Sequence, residues 1–277
     1  STCINASSGM RNPQSTLVKK AVVESMKNKY HVEKFEETGA EYKIEVGILK
    51  DIVTLTVDTS GEGLHKRGYR KNSGKAPIKE TLAAALVLLS KWDPSVILAD
   101  PMCGSGTIAI EAALIGKNIA PGLSRNFVSE QWGIIPQDLW RDLRKYALNS
   151  INNKEFRILA SDIDGRVVRT AMNNAEKAGV EDCIAFQKIP VQEFSSSKCG
   201  GFIISNPPYG ERLGELEEAE KLYEDIGKVF SKLKDWNYFI ITADDKFEKY
   251  FGKESNKNRK LYNGRLKCYY YQYFNRK

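Results

Sequence analysis

Five residues, Ser205-Asn206-Pro207-Pro208-Tyr209, close a short apolar run, Gly201-Phe202-Ile203-Ile204, and lead into Gly210. The run has the length and residue types of a strand buried on both faces of a parallel sheet. Two successive prolines cannot continue such a strand, so the chain leaves the sheet at Asn206. Ligands of open α/β sheets sit in the crevice outside the carboxyl ends of the strands, which puts this turn where chemistry is done. The Asn206 amide oxygen and the Pro207 carbonyl can both accept hydrogen bonds from an exocyclic amine. The Tyr209 ring offers a flipped base a stacking surface, a contact worth roughly 1–3 kcal/mol. With both amine hydrogens paired, the nitrogen lone pair stays available to attack an electrophilic methyl group. Asn-Pro also starts ordinary turns, so a second signal is needed.

A second buried-strand run, Val96-Ile97-Leu98-Ala99, supplies it. It is closed by Asp100-Pro101-Met102-Cys103-Gly104-Ser105-Gly106-Thr107 and followed by an apolar helical stretch, Ile108 to Ile115. Strand, glycine turn and helix in that order mark a nucleotide-type ligand site. The string is neither G-x-G-x-x-G nor a Walker A loop, and an acid at the strand end suits a ligand bearing an ammonium group. S-adenosylmethionine fits that description. A third strand, Arg157 to Ser161, ends in Asp162-Ile163-Asp164. Asp162 can hold two ribose hydroxyls as the corresponding acid does in dinucleotide folds, with Ile163 against the adenine face. Asp162 could equally cap the next helix, Val167 to Ala178.

These strings, D-P-M-C-G-S-G-T (100–107), S-D-I-D (161–164) and N-P-P-Y-G-E-R-L-G (206–214), resemble the THUMP-associated RNA guanine methyltransferases, in particular the bacterial 23S ribosomal RNA enzymes. Residues 58–70, 76–86 and 119–127 carry further matching strings. The resemblance implies a Rossmann-like class I methyltransferase sheet of seven strands with the last one antiparallel, behind a partial THUMP-like α+β segment. It implies S-adenosylmethionine as donor and S-adenosylhomocysteine as product. The implied catalytic residues are Asn206, Pro207, Pro208 and Tyr209. Donor binding falls to Asp100 through Thr107, Asp162, Ile163 and Asn206. One departure stands out: Pro190 occupies the place where many methyltransferases put an acid or amide beside the adenine amine, which leaves that contact unassigned, the main chain of Val191 or Gln192 being the candidates.

Charge is unevenly spread. Residues 1–75 hold 13 Lys/Arg against 9 Asp/Glu, and residues 246–277 hold 10 against 2, while the body between is slightly acidic. Basic flanks are the electrostatic footprint of a nucleic-acid binder. The run His65-Lys66-Arg67-Gly68-Tyr69-Arg70-Lys71 interleaves cations with a tyrosine, so Lys66, Arg67, Tyr69 and Arg70 are expected to contact RNA through phosphate and base. Five widely spaced cysteines and two histidines form neither a disulfide framework nor a metal site. A reducing cytoplasm, no metal and no membrane span are expected. A chain that starts at Ser1 reads as a piece of something longer.

Along the chain, a helix is expected from about Ser15 to Lys29, then two half-buried strands, Tyr42 to Val46 and Ile52 to Val57, around a turn at 49–51. The domain boundary is expected near Asn72 to Lys75, giving a THUMP-like segment over 1–71 and the methyltransferase domain over 72–277. Pro77 should open a helix to Ser90, with Ile78, Leu82, Ala85, Leu86 and Leu89 inward and Lys79 and Glu80 outward. The long connection from Gly116 to Lys154, helical over 137–149, is expected to overhang the rim of the site, with Trp132 and Trp140 packed. An Asn263-Gly264 hairpin should close the sheet. Rival readings are a tRNA guanine methyltransferase, an amine methyltransferase acting on DNA adenine or protein glutamine, and a non-catalytic RNA-binding ribosome-assembly factor.

Overall fold

The computed structural model describes residues 13–35, 38–70, 78–210 and 215–275. The expected boundary at 72–75, the helix start at Pro77 and the stretch 211–214 lie outside the described residues. In chain order the elements are α1 (Pro13–Tyr30), β1 (Lys43–Leu49), β2 (Ile52–Asp58), α2 (Glu80–Ser90), β3 (Leu98–Asp100), α3 (Thr107–Gly116), α4 (Gln137–Asn149), β4 (Ile158–Asp162), α5 (Gly165–Ala178), β5 (Ile184–Lys188), β6 (Gly201–Ser205), α6 (Glu215–Phe230), β7 (Trp236–Thr242), α7 (Phe247–Phe251), β8 (Lys257–Asn263) and β9 (Leu266–Tyr273). They form two compact units: Ser1–Leu64 with Gly122–Ala147, and His65–Pro121 with Leu148–Lys277.

In the first unit, β1 and β2 pair antiparallel from Lys43↔Asp58 to Leu49↔Ile52. Their two-residue turn places Lys50 and Asp51 at φ +51° and +61°, both left-handed as a type I′ turn requires. The strands were expected to be half-buried: Tyr42, Ile44 and Val46 are partly buried, whereas Ile52, Val53, Leu55 and Val57 of β2 are all exposed. Among the described residues this hairpin forms a sheet of two strands only, too little to bury both faces. The long connection is bound into this unit. Arg125 donates to the carbonyls of Ser60, Glu62 and Gly63. Trp132 stacks on Tyr42 at 4.7 Å and donates its indole N–H to Glu41 O. Both tryptophans pack as expected, Trp140 against Phe127.

The second unit is an α/β sandwich around a seven-stranded sheet of order β5-β4-β3-β6-β7-β9-β8. The strands from β5 to β7 are parallel, and β9 runs antiparallel to both β7 and β8, the reversed strand of a class I methyltransferase sheet. One face carries α2, α3 and α5 through Leu86, Ile108, Ile110, Ala171 and Ala175. The other carries α6 and α7 through Tyr223, Ile226, Phe230, Phe247 and Phe251. Helix α3 is apolar all round because nearly every residue of it is buried. Helix α5 is amphipathic, starts on Asp164, whose carboxylate accepts from Arg166 N, and stops at Gly179 with φ +67°. Strand order reverses between β3 and β6, and at that switch point the sheet opens a crevice.

In α2 the buried residues are Glu80, Ala83, Leu86, Val87 and Ser90, so Glu80 faces inward, not outward. The closing turn is centred on Gly264-Arg265, with Asn263↔Leu266 as the last pair and Gly264 at φ +65°. Among the described residues no helix is long and apolar enough to cross a membrane.

Candidate functional site

Strands β3 and β6 are parallel neighbours, with Leu98 opposite Phe202, so the segments that follow them emerge side by side. They line one small cavity of about 70 Å³, with Ile78, Asp100, Met102, Cys103, Gly104, Ser105, Thr107, Ile108 and Asn206 in its wall. The residues expected to bind a donor and the asparagine expected to hold an amine therefore share one space. Neither Ile78 nor Ile108 was expected as a site residue; Ile78 was expected on the inward face of the helix just before the first strand, which agrees with its place in the wall.

The glycine turn is shaped by its own backbone. Cys103 N donates to Ser161 O at 2.8 Å, and Gly106 N donates to Cys103 O at 2.8 Å. Gly106 sits at φ +82°, where a Cβ would come within 2.9 Å of Ala171 Cβ. Only glycine lets α3 start this close to α5. Gly104 has φ +51° and no atom within 4 Å of the position a Cβ would take, leaving that side of the loop open to a ligand. Cys103 is buried and its thiol is pushed well above the usual range by burial and by Asp100 and Asp162. It packs into the core beneath the turn. Asn174, a buried polar residue on the apolar stripe of α5, donates to Ser105 O at 3.0 Å. That stripe position was its only sequence signal.

Two carboxylates complete the donor side. Asp162 accepts from Gly104 N and Asp164 N, each at 3.0 Å and each on a different oxygen. Every oxygen keeps a second lone pair, as a ribose diol would require. Ile163 beside it is exposed. Asp100 is 1% exposed and accepts from the Ser205 hydroxyl at 2.7 Å. Burial pushes its carboxyl up to about 7, with the charge of Asp162 adding and the bonds from Ser205 and Met102 N opposing. A buried acid this reluctant to ionise alone is a fitting partner for an ammonium group. These residues fit an aminoacyl nucleoside cofactor. Pro101 is buried behind the turn, as is Gly106.

On the acceptor side, Tyr209 donates its hydroxyl to Asn206 Oδ1 and packs partly into the core. Pro207 is buried and Pro208 exposed. The loop is fixed from beneath by Tyr223, which is fully buried and donates to Pro208 O at 3.0 Å with Thr242 Oγ1 as its other neighbour. Pro190 precedes a single 3-10 turn at 191–193, and the Gln192 side chain is taken up by Asp225 at 3.0 Å.

Three of the four expected RNA contacts, Arg67, Tyr69 and Arg70, are engaged by partners within the protein. Tyr69 is buried and donates to Glu111 Oε1 at 3.0 Å; Arg67 approaches the same carboxylate at 3.4 Å. Arg70 Nη1 donates to Ile78 O at 3.1 Å and to Thr107 Oγ1 at 3.2 Å, and Nη2 lies 3.0 Å from Glu80 Oε2 as an ion pair. Of the four only Lys66 is exposed. Arg70 thus ties Ile78 to Thr107, one residue from each wall of the cavity. Arg70→Met leaves Glu80 buried beside no cation, which costs about 3–5 kcal/mol. The melting temperature is expected to fall by roughly 5–15 °C and donor affinity to weaken; an unchanged melt in scanning calorimetry would remove the clamp from this account.

Residues 67–272 match the family UPF0020, described as an RMKL-like methyltransferase domain. The chain belongs to the UPF0020 family. Among relatives of this UPF0020 chain, the Bacillus subtilis protein named "Putative RNA methyltransferase YpsC" is 50% identical over 94% of this chain and 68% of its own length. "Ribosomal RNA large subunit methyltransferase K/L" of Legionella pneumophila is 39% identical over 82% of this chain and 33% of its own length, so the UPF0020 chain spans about a third of that protein. A solved structure of "SMU.472, a putative methyltransferase complexed with SAH" is 40% identical, with a TM-score of 0.89 over 100% of this chain and 75% of that one.

Proposed function

We propose that this chain transfers a methyl group to the exocyclic 2-amino group of a guanine in large-subunit ribosomal RNA. It is an S-adenosylmethionine-dependent RNA methyltransferase, a reading that rests on its family, on the RNA-methylating names of its relatives and on the S-adenosylhomocysteine held by a close structural relative. The guanine and the ribosomal substrate rest on the resemblance of the 206–214 string and on the K/L relatives. The observation that carries the proposal is the single cavity lined by both Gly104 and Asn206.

When bound, the cofactor supplies an electrophilic methyl group on a sulfonium. Asp162 holds its ribose and Asp100 its ammonium. Asn206 Oδ1 and the Pro207 carbonyl accept the two amine hydrogens, which directs the nitrogen lone pair into the cavity, and Tyr209 stacks on the base. Alignment of two reactants supplies roughly 7–11 kcal/mol of the barrier reduction. The residues before about 71 act as part of a THUMP-like RNA-binding segment, and the enzyme works in the cytoplasm.

Labelled-methyl transfer to RNA from cells lacking the enzyme, followed by nucleoside analysis, tests the proposal. N2-methylguanosine in large-subunit RNA is expected. Label in tRNA would favour the tRNA reading, and N6-methyladenosine would overturn the guanine assignment. The Asp100 carboxyl adds a pH signature. Its folded value of about 7 stands above the ordinary 3.8, so the ligand-free chain loses stability as pH rises from about 4 to about 7. The cationic donor prefers the ionised form, so donor affinity is expected to fall up to tenfold per pH unit below about 7. Calorimetry between pH 5.5 and 8 reads this, and Asp100→Asn should flatten the profile.

A further inference from the structure

The last two strands carry an arrangement that the reaction itself does not use. Strand β7 ends at Thr242, which lies opposite Tyr269, so residues 261–268 of the β8–β9 hairpin project past the carboxyl ends of the parallel strands. The turn at 206–209 leaves the sheet at that same end, since Ser205 is level with Ile240. One face of the projecting hairpin is packed: Leu261 and Cys268 join the core, and Cys268 Sγ lies 4.0 Å from the Tyr209 hydroxyl. The opposite face carries Lys260 across from Tyr269 and Tyr262 across from Lys267. Directly opposed residues share a face, so two lysines and two tyrosines alternate there like a checkerboard. Lys260 Nζ lies 5.7 Å from the centre of the Tyr262 ring, and Lys267 Nζ lies 4.9 Å from that of Tyr269. Tyr262 is 56% exposed, while Tyr269 is partly buried against the core beneath α6 and α7.

We propose that this face, Lys260, Tyr262, Lys267 and Tyr269, is a docking surface for the unpaired RNA strand that flanks the target base. The proposal rests on the RNA reading given above. Ammonium groups spaced between aromatic rings match the alternation of phosphates and bases along a single strand. The packed face of the hairpin backs Tyr209, so a strand laid on the lysine–tyrosine face reaches the turn by passing round the hairpin tip at 263–266. Lysines on β8, the outermost strand of the sheet, also discourage edge-to-edge association. That purpose needs only the charges and leaves the exposed Tyr262 ring unexplained.

The test uses the full chain and a fluorescein-labelled single-stranded 20-nucleotide RNA, with affinity measured by anisotropy from 50 to 300 mM salt. For the variant K260A/K267A, loss of two phosphate contacts should lower the slope of log affinity against log salt by about 1.4, at about 0.7 per contact. Tyr262→Ala should weaken binding roughly tenfold or more with the slope unchanged. S-adenosylmethionine affinity and the melting temperature, read on the same variants, should match wild type because these side chains stand outside the core. If wild type binds RNA with a salt-dependent affinity and all variants bind equally well, the docking surface is refuted while the RNA reading stands. If wild type does not bind the RNA at all, the RNA reading fails, and this proposal fails with it.

Discussion

Asn206→Ala will lower the rate of methyl transfer by roughly two to three orders of magnitude, the usual loss when one preorganised hydrogen-bond partner of a transition state is removed. Donor affinity should stay within about threefold. The asymmetry follows from where Asn206 stands. Among the described residues it is one of nine lining the cavity, and none of the carboxylate or main-chain contacts around the glycine turn passes through it. On the acceptor side it is one of two groups available to the amine, and its oxygen is already oriented by the Tyr209 hydroxyl. Single-turnover transfer with calorimetry on the same sample separates the two effects. Undiminished transfer by the variant would remove the asparagine from the chemistry. Loss of donor binding instead would make it a cofactor residue.

Asp162→Ala will do the reverse. Hydrogen bonds to a charged group contribute about 1.5–3 kcal/mol each, and two ribose hydroxyls are at stake, so donor affinity should fall about a hundredfold or more. The change also leaves the amides of Gly104 and Asp164 without their acceptor, loosening the loop that the donor lies on. Asp162→Asn, which keeps an acceptor but not the charge, should fall between. At saturating donor the transfer rate should recover towards wild type, since no group on the acceptor side is touched. A donor affinity within threefold of wild type for Asp162→Ala would mean the ribose lies elsewhere.

The site was legible where local chemistry left the chain no choice. An apolar run that meets Asp-Pro or Asn-Pro-Pro must stop being a strand there, so the ends of β3 and β6 could be placed to within a residue or two. Helix α4, Gln137–Asn149, matched its expected span because its periodicity is local. What was misread depends on partners far off in sequence. The basic run at 65–71 looked available to RNA because the counter-charges of Arg70 and Arg67, Glu80 and Glu111, lie 10 and 44 residues further on. A signal existed: Glu111 sits in Ile-Ala-Ile-Glu-Ala-Ala-Leu, and an acid in a wholly apolar helix needs a buried cation. The sequence could not show that residues 122–147 join the first unit: the anchors there, Arg125 on the carbonyls at 60–63 and Trp132 on Glu41, span 62 to 91 residues, a distance over which no pattern in one sequence speaks.

The position of β9 bears on how the protein is made. Among the described residues it lies between β7 and β8, so β8 has no sheet neighbour until β9, which follows it in the chain, slides in beside it. Cys268, which backs the turn at Tyr209, arrives in the same step. A nascent chain short of β9 has its glycine loop but lacks the wall behind its Asn-Pro-Pro-Tyr turn, so methylating activity should begin only once translation has passed β9.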